Sequence, residues 1–255
     1  MREQGRVVAI LQARMSSTRL PGKVLKPILG RPMLALQLER LARCTRLDDL
    51  VVATSDRPDD DPVADLCASE GVPCFRGSLP DVLDRFTLCA RKYCADHVVR
   101  LTGDCPLIDP AFVDLLVDFY FDQCVAYATY CRPPSLPDGL DAEIFAFSAL
   151  EAAWNEGRDP FEREHVTPFI VRRPERFPAA NWAYREDLSH LRWTVDEPED
   201  FAFATRVYEE LYPANPAFAM QDVLDLLARR PELAAINIMH KRKPGCEAKP
   251  APAIK

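Results

Sequence analysis

The 255-residue sequence predicts an α/β fold in which a mostly parallel sheet carries helices on both faces. Apolar runs and segments of helical periodicity alternate through its first half, which implies parallel strands joined by right-handed crossovers. The first run, residues 7–11, is uniformly apolar and breaks sharply into a polar, basic segment, as a buried strand does where it meets a loop. With 48% hydrophobic and 28% charged residues, the chain has the composition of a globular domain large enough for a substantial core.

In order along the chain, residues 7–11 form the first strand. Residues 32–43 form a helix whose first turn accepts Pro32 and whose apolar side carries Met33, Leu34, Leu38 and Leu41. A short strand at 50–53 leads to a helix at 62–70, which Gly71 ends, and a strand follows at 72–75. Residues 80–94 are helical, 97–101 a strand and 110–122 a helix opened by Pro110. Ligands of such sheets bind beyond the carboxyl ends of the strands, so the loops at 12–31, 54–61 and 102–109 should cluster.

The second half is less regular. Residues 131–138 are proline-rich and read as a loop or lid, 140–147 as a strand of possible antiparallel pairing, and 151–157 and 161–172 as helices. A strand is expected at 190–195, then a helix from the Asp196-Glu-Pro-Glu-Asp200 start to about Tyr212, then an amphipathic helix at 220–229. Residues 1–240 read as one domain with 130–190 as a subregion. The proline- and lysine-rich residues 241–255 have little to bury and read as a disordered tail.

A formal net charge of −7 argues against a nucleic-acid partner, and no apolar stretch suits a signal peptide or a membrane span. The nine cysteines are odd in number and form no CxxC pair. Most lie in apolar segments, so they are expected as reduced thiols of a cytoplasmic protein.

Against this acidic background, residues 4–38 contain no Asp or Glu, where the average density of 39 in 255 would place about five. Arg6, Arg14, Arg19, Lys23, Lys26 and Arg31 all lie within this window. A basic loop at a strand's end suits a polyphosphate: Gly22 and small residues admit backbone donors, Arg14 and Arg19 offer bidentate contacts, and Lys23 a compact charge. Val24 follows Lys23, so the order is not that of a Walker loop. Asp104 and Asp196 each follow a predicted strand. Facing one crevice, two carboxylates suit Mg²⁺ bound to triphosphate; the same residues would also serve as a turn residue before Pro106 and a helix cap. Asp138, Asp141, Glu143, Glu162, Arg163, Glu164 and His165 form a polar concentration between apolar elements, either an acceptor pocket or solvated edges. Asp84 and Arg85 are adjacent and read as an ion pair bracing the loop.

The run L-Q-A-R-M-S-S-T-R-L-P-G-K from Leu11 to Lys23 strongly resembles the nucleotide-binding signature of the cytidylyltransferases, which make CMP-activated 3-deoxy-manno-octulosonate and sialic acids. Further runs resemble the spore coat polysaccharide biosynthesis protein F branch: Phe75-Arg-Gly-Ser78, Asp81-Val-Leu-Asp84-Arg85, Arg100-Leu-Thr-Gly-Asp104-Cys-Pro106-Leu-Ile-Asp109, Pro137-Asp-Gly-Leu-Asp141, Glu162-Arg-Glu-His165 and Leu191-Arg-Trp-Thr-Val-Asp196-Glu-Pro-Glu-Asp200. The resemblance spans about residues 6–240; one departure is Ser16, where many members carry Gly. It implies a Rossmann-like sheet of the nucleotide-diphospho-sugar transferase type with a small α+β insertion. It further implies catalysis by Arg14 and Lys23, and nucleotide contacts from Leu11, Gln12, Ala13, Ser17, Arg19, Arg76, Asp84, Thr102 and Gly103. The implied cofactor is Mg²⁺ on Asp104 and Asp196, with acceptor contacts from Asp138, Asp141, Glu162, Glu164 and His165. CTP and a small-molecule acceptor are the implied partners, in a homodimer meeting through about residues 137–147.

The expected function is Mg²⁺-dependent transfer of CMP from CTP to a sugar acid or a phosphate- or phosphonate-bearing acceptor, with release of pyrophosphate, in surface polysaccharide or glycoconjugate biosynthesis. A glycosyltransferase is the related alternative, although Asp104-Cys-Pro lacks the second aspartate of a D-x-D motif. A nucleotide sensor without turnover is the other; Arg14, Lys23, Asp104 and Asp196 together argue against it.

Overall fold

The computed structural model describes residues 4–242 and a two-residue strand, Ala253–Ile254. Seven longer strands build the sheet: β1 (Val7–Gln12), β2 (Asp49–Ser55), β3 (Cys74–Gly77), β4 (His97–Thr102), β5 (Tyr127–Thr129), β6 (Glu143–Ala146) and β7 (Ala179–Trp182). Across the sheet the order is 253–254, β7, β5, β6, β4, β1, β2, β3. β1 lies at its heart, parallel to β2 and β4, with Leu11 opposite both Val52 and Leu101. β6 is antiparallel to β4 and β5, so the sheet is parallel on one side and mixed on the other.

Alternation along the strands divides the apolar side chains between two faces. Val7, Ala9, Leu11, Val99 and Leu101 belong to one buried cluster with α1 (Met33–Leu41), α2 (Asp61–Ser69), α4 (Pro110–Gln123), α8 (Pro198–Leu211) and α9 (Met220–Arg229). Val8, Ile10, Val98 and Phe145 belong to the other, with α3 (Val82–Lys92), α5 (Phe147–Glu156) and α7 (Pro168–Val171). Helix starts follow their capping chemistry. Asp109 accepts from Ala111 N ahead of α4, and Asp81 from Asp84 N ahead of α3.

The second half departs from expectation in three places. The helix expected at 161–172 is two short ones, α6 (Pro160–His165) and α7, because Val166 adopts φ 69° and ψ −59°. Its neighbours close a γ-turn there, with Thr167 N donating to His165 O at 2.8 Å. β5 and β7 have three and four residues and had no periodicity long enough to read. The strand expected at 190–195 is an extended segment with a single bridge, Asp138 to Arg192. Within residues 137–147, expected to meet a second copy, Asp141, Ala146 and Phe147 are half-buried and the others are buried within the chain. The tail expected over 241–255 lies outside the described residues apart from Lys241, Arg242 and the short strand.

Candidate active site

The basic loop leaves β1 at Gln12 and is held from beneath by a buried carboxylate. Asp60, 1% exposed, accepts Met15 N at 2.7 Å and the Ser55 hydroxyl, tying the loop to the end of β2. Met15 O accepts Ser17 N and Gly22 N at 2.9 and 3.0 Å, and Ser17 Oγ accepts Leu20 N at 3.3 Å, so the loop folds back on itself. Gly22 turns it with φ 66°, in the left-handed region glycine favours. Gly103 N donates to Gln12 O at 2.8 Å, and a Cβ at Gly103 would lie 3.0 Å from that of Ala13. The ends of β1 and β4 touch there, which brings Asp104 to the loop.

Lys23 is the centre of the resulting charge cluster. Its side chain is 10% exposed, and Nζ donates to Val195 O at 2.8 Å, Asp196 Oδ1 at 2.9 Å and Asp104 Oδ2 at 3.1 Å. Burial works against its charge, but the two aspartates outweigh it and hold the ammonium above its ordinary pKa. Arg19 meets Asp196 Oδ2 and Glu197 Oε1, both at 2.8 Å. Burial likewise opposes ionisation of Asp196, yet Lys23 and Arg19 keep it below the usual carboxylate range. Its backbone is set independently of its side chain: Asp200 Oδ2 accepts Asp196 N at 3.0 Å and Glu197 N at 2.9 Å. Asp200 is fully buried and grips the Arg192 fork at 2.9 and 2.8 Å; Arg192 also reaches Asp138 at 3.0 Å.

Two cavities open from this cluster. One, of about 370 Å³, is lined by Gln12, Ala13, Arg14, Ser17, Arg19 and Lys23 of the loop region, by Val82 and Arg85 of α3, and by Glu164 and His165 of α6. The other, of about 410 Å³, is walled by Arg132, Asp138, Asp141, Glu143, Arg192 and Arg242. Arg100, Thr102, Asp104 and Asp196 line both. Burial and the neighbouring Asp141 push Asp138 up to about 6 against the pull of Arg242 and Arg192. Glu143 is also penalised by burial, but Arg100 and Arg132 bring it down to about 2.

Most of the expected residues therefore meet, with five corrections. Leu11 is fully buried in the sheet's core, so it touches neither cavity. Arg76 faces away, to Asp61 at 2.6 Å and Ser55 O at 3.0 Å. Asp84 accepts Trp154 Nε1 at 2.7 Å; it forms no pair with Arg85, whose guanidinium donates to Ser78 O. Glu162 is buried against Arg173 at 3.1 Å. Glu164 and His165 line the loop cavity, whereas Asp138 and Asp141 line the other, so the expected acceptor set is divided. Burial, reinforced by Arg100, holds His165 below its ordinary pKa.

Residues missed beforehand are Asp60, Arg85, Arg100, Arg132, Arg192 and Arg242. Arg100 carried a readable signal, a charge within the apolar strand HVVRLT at period two from Thr102 and Asp104. Arg242 carried none; it reaches Asp141 at 2.6 Å from the start of the expected tail.

A divalent cation fits the donor chemistry. Oxygens of Asp104 and Asp196 converge on the Lys23 ammonium, so the two carboxylates are close enough to share a positive charge. Mg²⁺ takes one or two protein carboxylates and completes its shell from phosphate and water. Among the described residues no three candidate ligands cluster, so the rest of that shell would come from the nucleotide.

A mostly parallel sheet with a basic loop after its first strand, meeting carboxylates beyond β4 and ahead of α8, has the layout of a nucleotidyltransferase. The cytidylyltransferase family model matches residues 8–215, and the chain belongs to that family. It is 32% identical over 241 residues to the spore coat polysaccharide biosynthesis protein SpsF of Bacillus subtilis, covering 89% of this chain and 96% of the other. A cytidylyltransferase structure from Leptospira borgpetersenii is 32% identical with a TM-score of 0.86, covering 94% of this chain and all of that one. CMP-2-keto-3-deoxy-manno-octonic acid synthetase, solved with CTP, shares the fold at a TM-score of 0.62 and 20% identity, over 81% of this chain and all of the other. No helix among the described residues is long and apolar enough to cross a membrane.

Proposed function

We propose that this enzyme transfers CMP from CTP to a small acceptor, a sugar acid or a compound bearing phosphate or phosphonate. The setting would be surface polysaccharide or glycoconjugate biosynthesis in the cytoplasm, as the kinship with SpsF suggests. The observation that carries the reading is the seam: a basic loop and two carboxylates stand where two cavities of substrate size join.

CTP would occupy the loop cavity, with Gln12 and nearby backbone at the base or ribose. Ser17 and Arg19 would hold the outer phosphates. Arg14 is exposed and, among the described residues, forms no ion pair, which leaves its guanidinium available to phosphate oxygens. The acceptor would enter the other cavity, its hydroxyls meeting Asp138 and Asp141. Its attacking oxygen forms a bond to the α-phosphorus while the bond to the bridging oxygen breaks, and pyrophosphate leaves. Mg²⁺ on Asp104 and Asp196 would neutralise charge on the phosphates when bound. Lys23 and Arg14 neutralise the charge that builds on the leaving pyrophosphate, Lys23 being already oriented by Asp104, Asp196 and Val195 O.

Lys23→Ala tests the nucleotide side. Loss of a charge-assisted contact is worth about 1.5–3 kcal/mol, so CTP affinity measured calorimetrically with Mg²⁺ should fall about ten- to a hundredfold. The difference should narrow as salt rises. Unchanged CTP affinity would contradict the assignment of the loop.

A further inference from the structure

The seam between the two cavities narrows the choice of residues that can touch the reacting phosphorus. On the proposed reading, on which this inference rests, the nucleotide lies in one cavity and the acceptor in the other. Attack in line then requires the α-phosphorus to sit where both are open to it. Four side chains line both cavities: Arg100, Thr102, Asp104 and Asp196. Two are carboxylates, which repel a phosphate unless a cation intervenes, and one is neutral. Arg100 is the remaining member and a permanent cation.

Its placement follows from strand alternation. Val98, Arg100 and Thr102 share one face of β4. Val98 and its neighbours Val8, Ile10 and Phe145 keep that face apolar at the strand's start. The face turns polar at Arg100, which pairs across the ladder with Glu143 and donates to its Oε2 at 2.6 Å. Glu143 does not consume the guanidinium. Its carboxylate also receives the Tyr127 and Thr167 hydroxyls and lies 3.5 Å from Arg132 Nη2. Arg100 Nε is buried without a partner. Glu143 takes one N–H of the guanidinium, at Nη1, and the N–H groups of the same fork that reach the cavities are the donors offered to a phosphate oxygen.

We propose that Arg100 is a catalytic residue that donates hydrogen bonds to the non-bridging oxygens of the nucleotide's α-phosphate, with Glu143, on the wall of the other cavity, fixing its orientation. The contact places positive charge on the group that gains a fifth ligand during attack.

CMP, cytidine and pyrophosphate divide the nucleotide's contacts without requiring the acceptor. Calorimetry with each should be run on the wild type, on Arg100→Gln, and on the double variant Arg100→Gln with Glu143→Gln, which leaves no stranded carboxylate. In both variants CMP affinity should fall about tenfold or more, with cytidine and pyrophosphate unaffected. Unchanged CMP affinity in both variants overturns the assignment. So does a loss in the single variant that the double variant restores, since it would trace to unpaired Glu143. Equal losses for CMP and cytidine also overturn it, by placing the effect on the pocket's shape. A wild type that binds neither CTP nor CMP removes the proposed function, and Arg100's role with it. Weakened CTP binding in Lys23→Ala beside intact CMP binding in both Arg100 variants sinks the Arg100 assignment alone.

Discussion

Asparagine at position 196 is expected to lower the rate of pyrophosphate release by about 10²–10³-fold, the scale on which loss of one oriented electrostatic group acts, while the protein stays folded. The substitution preserves shape and removes charge. Both carboxylate oxygens are engaged, one by Lys23 and the other by Arg19, with Arg192 a further 3.5 Å away. An amide satisfies neither cation fully and is a poor ligand for Mg²⁺. The fold is spared because the backbone at 196 and 197 hangs from Asp200, not from the side chain of Asp196. Lys23 retains Asp104 and Val195 O, and Arg19 retains Glu197. Turnover and thermal melting measured together separate the two effects. Near-normal turnover would remove Asp196 from the reacting centre.

Arg192→Met should damage both stability and activity. Arg192 and Asp200 are both buried and joined by two parallel hydrogen bonds, and a third bond from the guanidinium holds Asp138 on the wall of the larger cavity. Removing one partner of a buried pair strands the other charge, at a cost of about 3–5 kcal/mol. Asp200 would keep Asn237 and the two backbone donors, which place the loss toward the lower end. Lysine at 192 should rescue little, since an ammonium cannot reproduce the planar fork. Denaturant unfolding monitored by circular dichroism checks this; a midpoint equal to the wild type's would show that the fork is dispensable.

These two residues mark where the sequence could be read and where it could not. Asp196 was legible because it ends an apolar run and opens a helix start, and the acid-free loop was legible by composition alone. Arg192 was not, because the run it interrupts was read as a strand, whereas its extended backbone is held by one bridge and a buried ion cluster. Two of the misplacements, on α3 and α6, share a cause. Residues adjacent in sequence diverge by about 100° per step around a helix. Glu162 thus turns into the core while Glu164 faces a cavity, and Asp84 meets Trp154 while Arg85 lines the loop cavity. Arg76 sits on a strand edge and was expected at the nucleotide through motif resemblance; the neighbouring Asp61 holds it away. Parallel pairing was legible for β1 to β4, whose connections are helical. It was not for β5 and β7, where too few residues alternate to show a period.

The reaction proposed for this enzyme is cleavage between the α- and β-phosphates of CTP with transfer of CMP to an acceptor. Phosphorus NMR on the enzyme with Mg²⁺, each nucleoside triphosphate in turn and a panel of sugar acids, sugar phosphates and phosphonates tests it most directly. Pyrophosphate and a new CMP-linked resonance should appear together, with CTP and an acceptor both present, and disappear in Asp196→Asn. Release of orthophosphate instead, or tight CTP binding with no pyrophosphate from any acceptor, would contradict it.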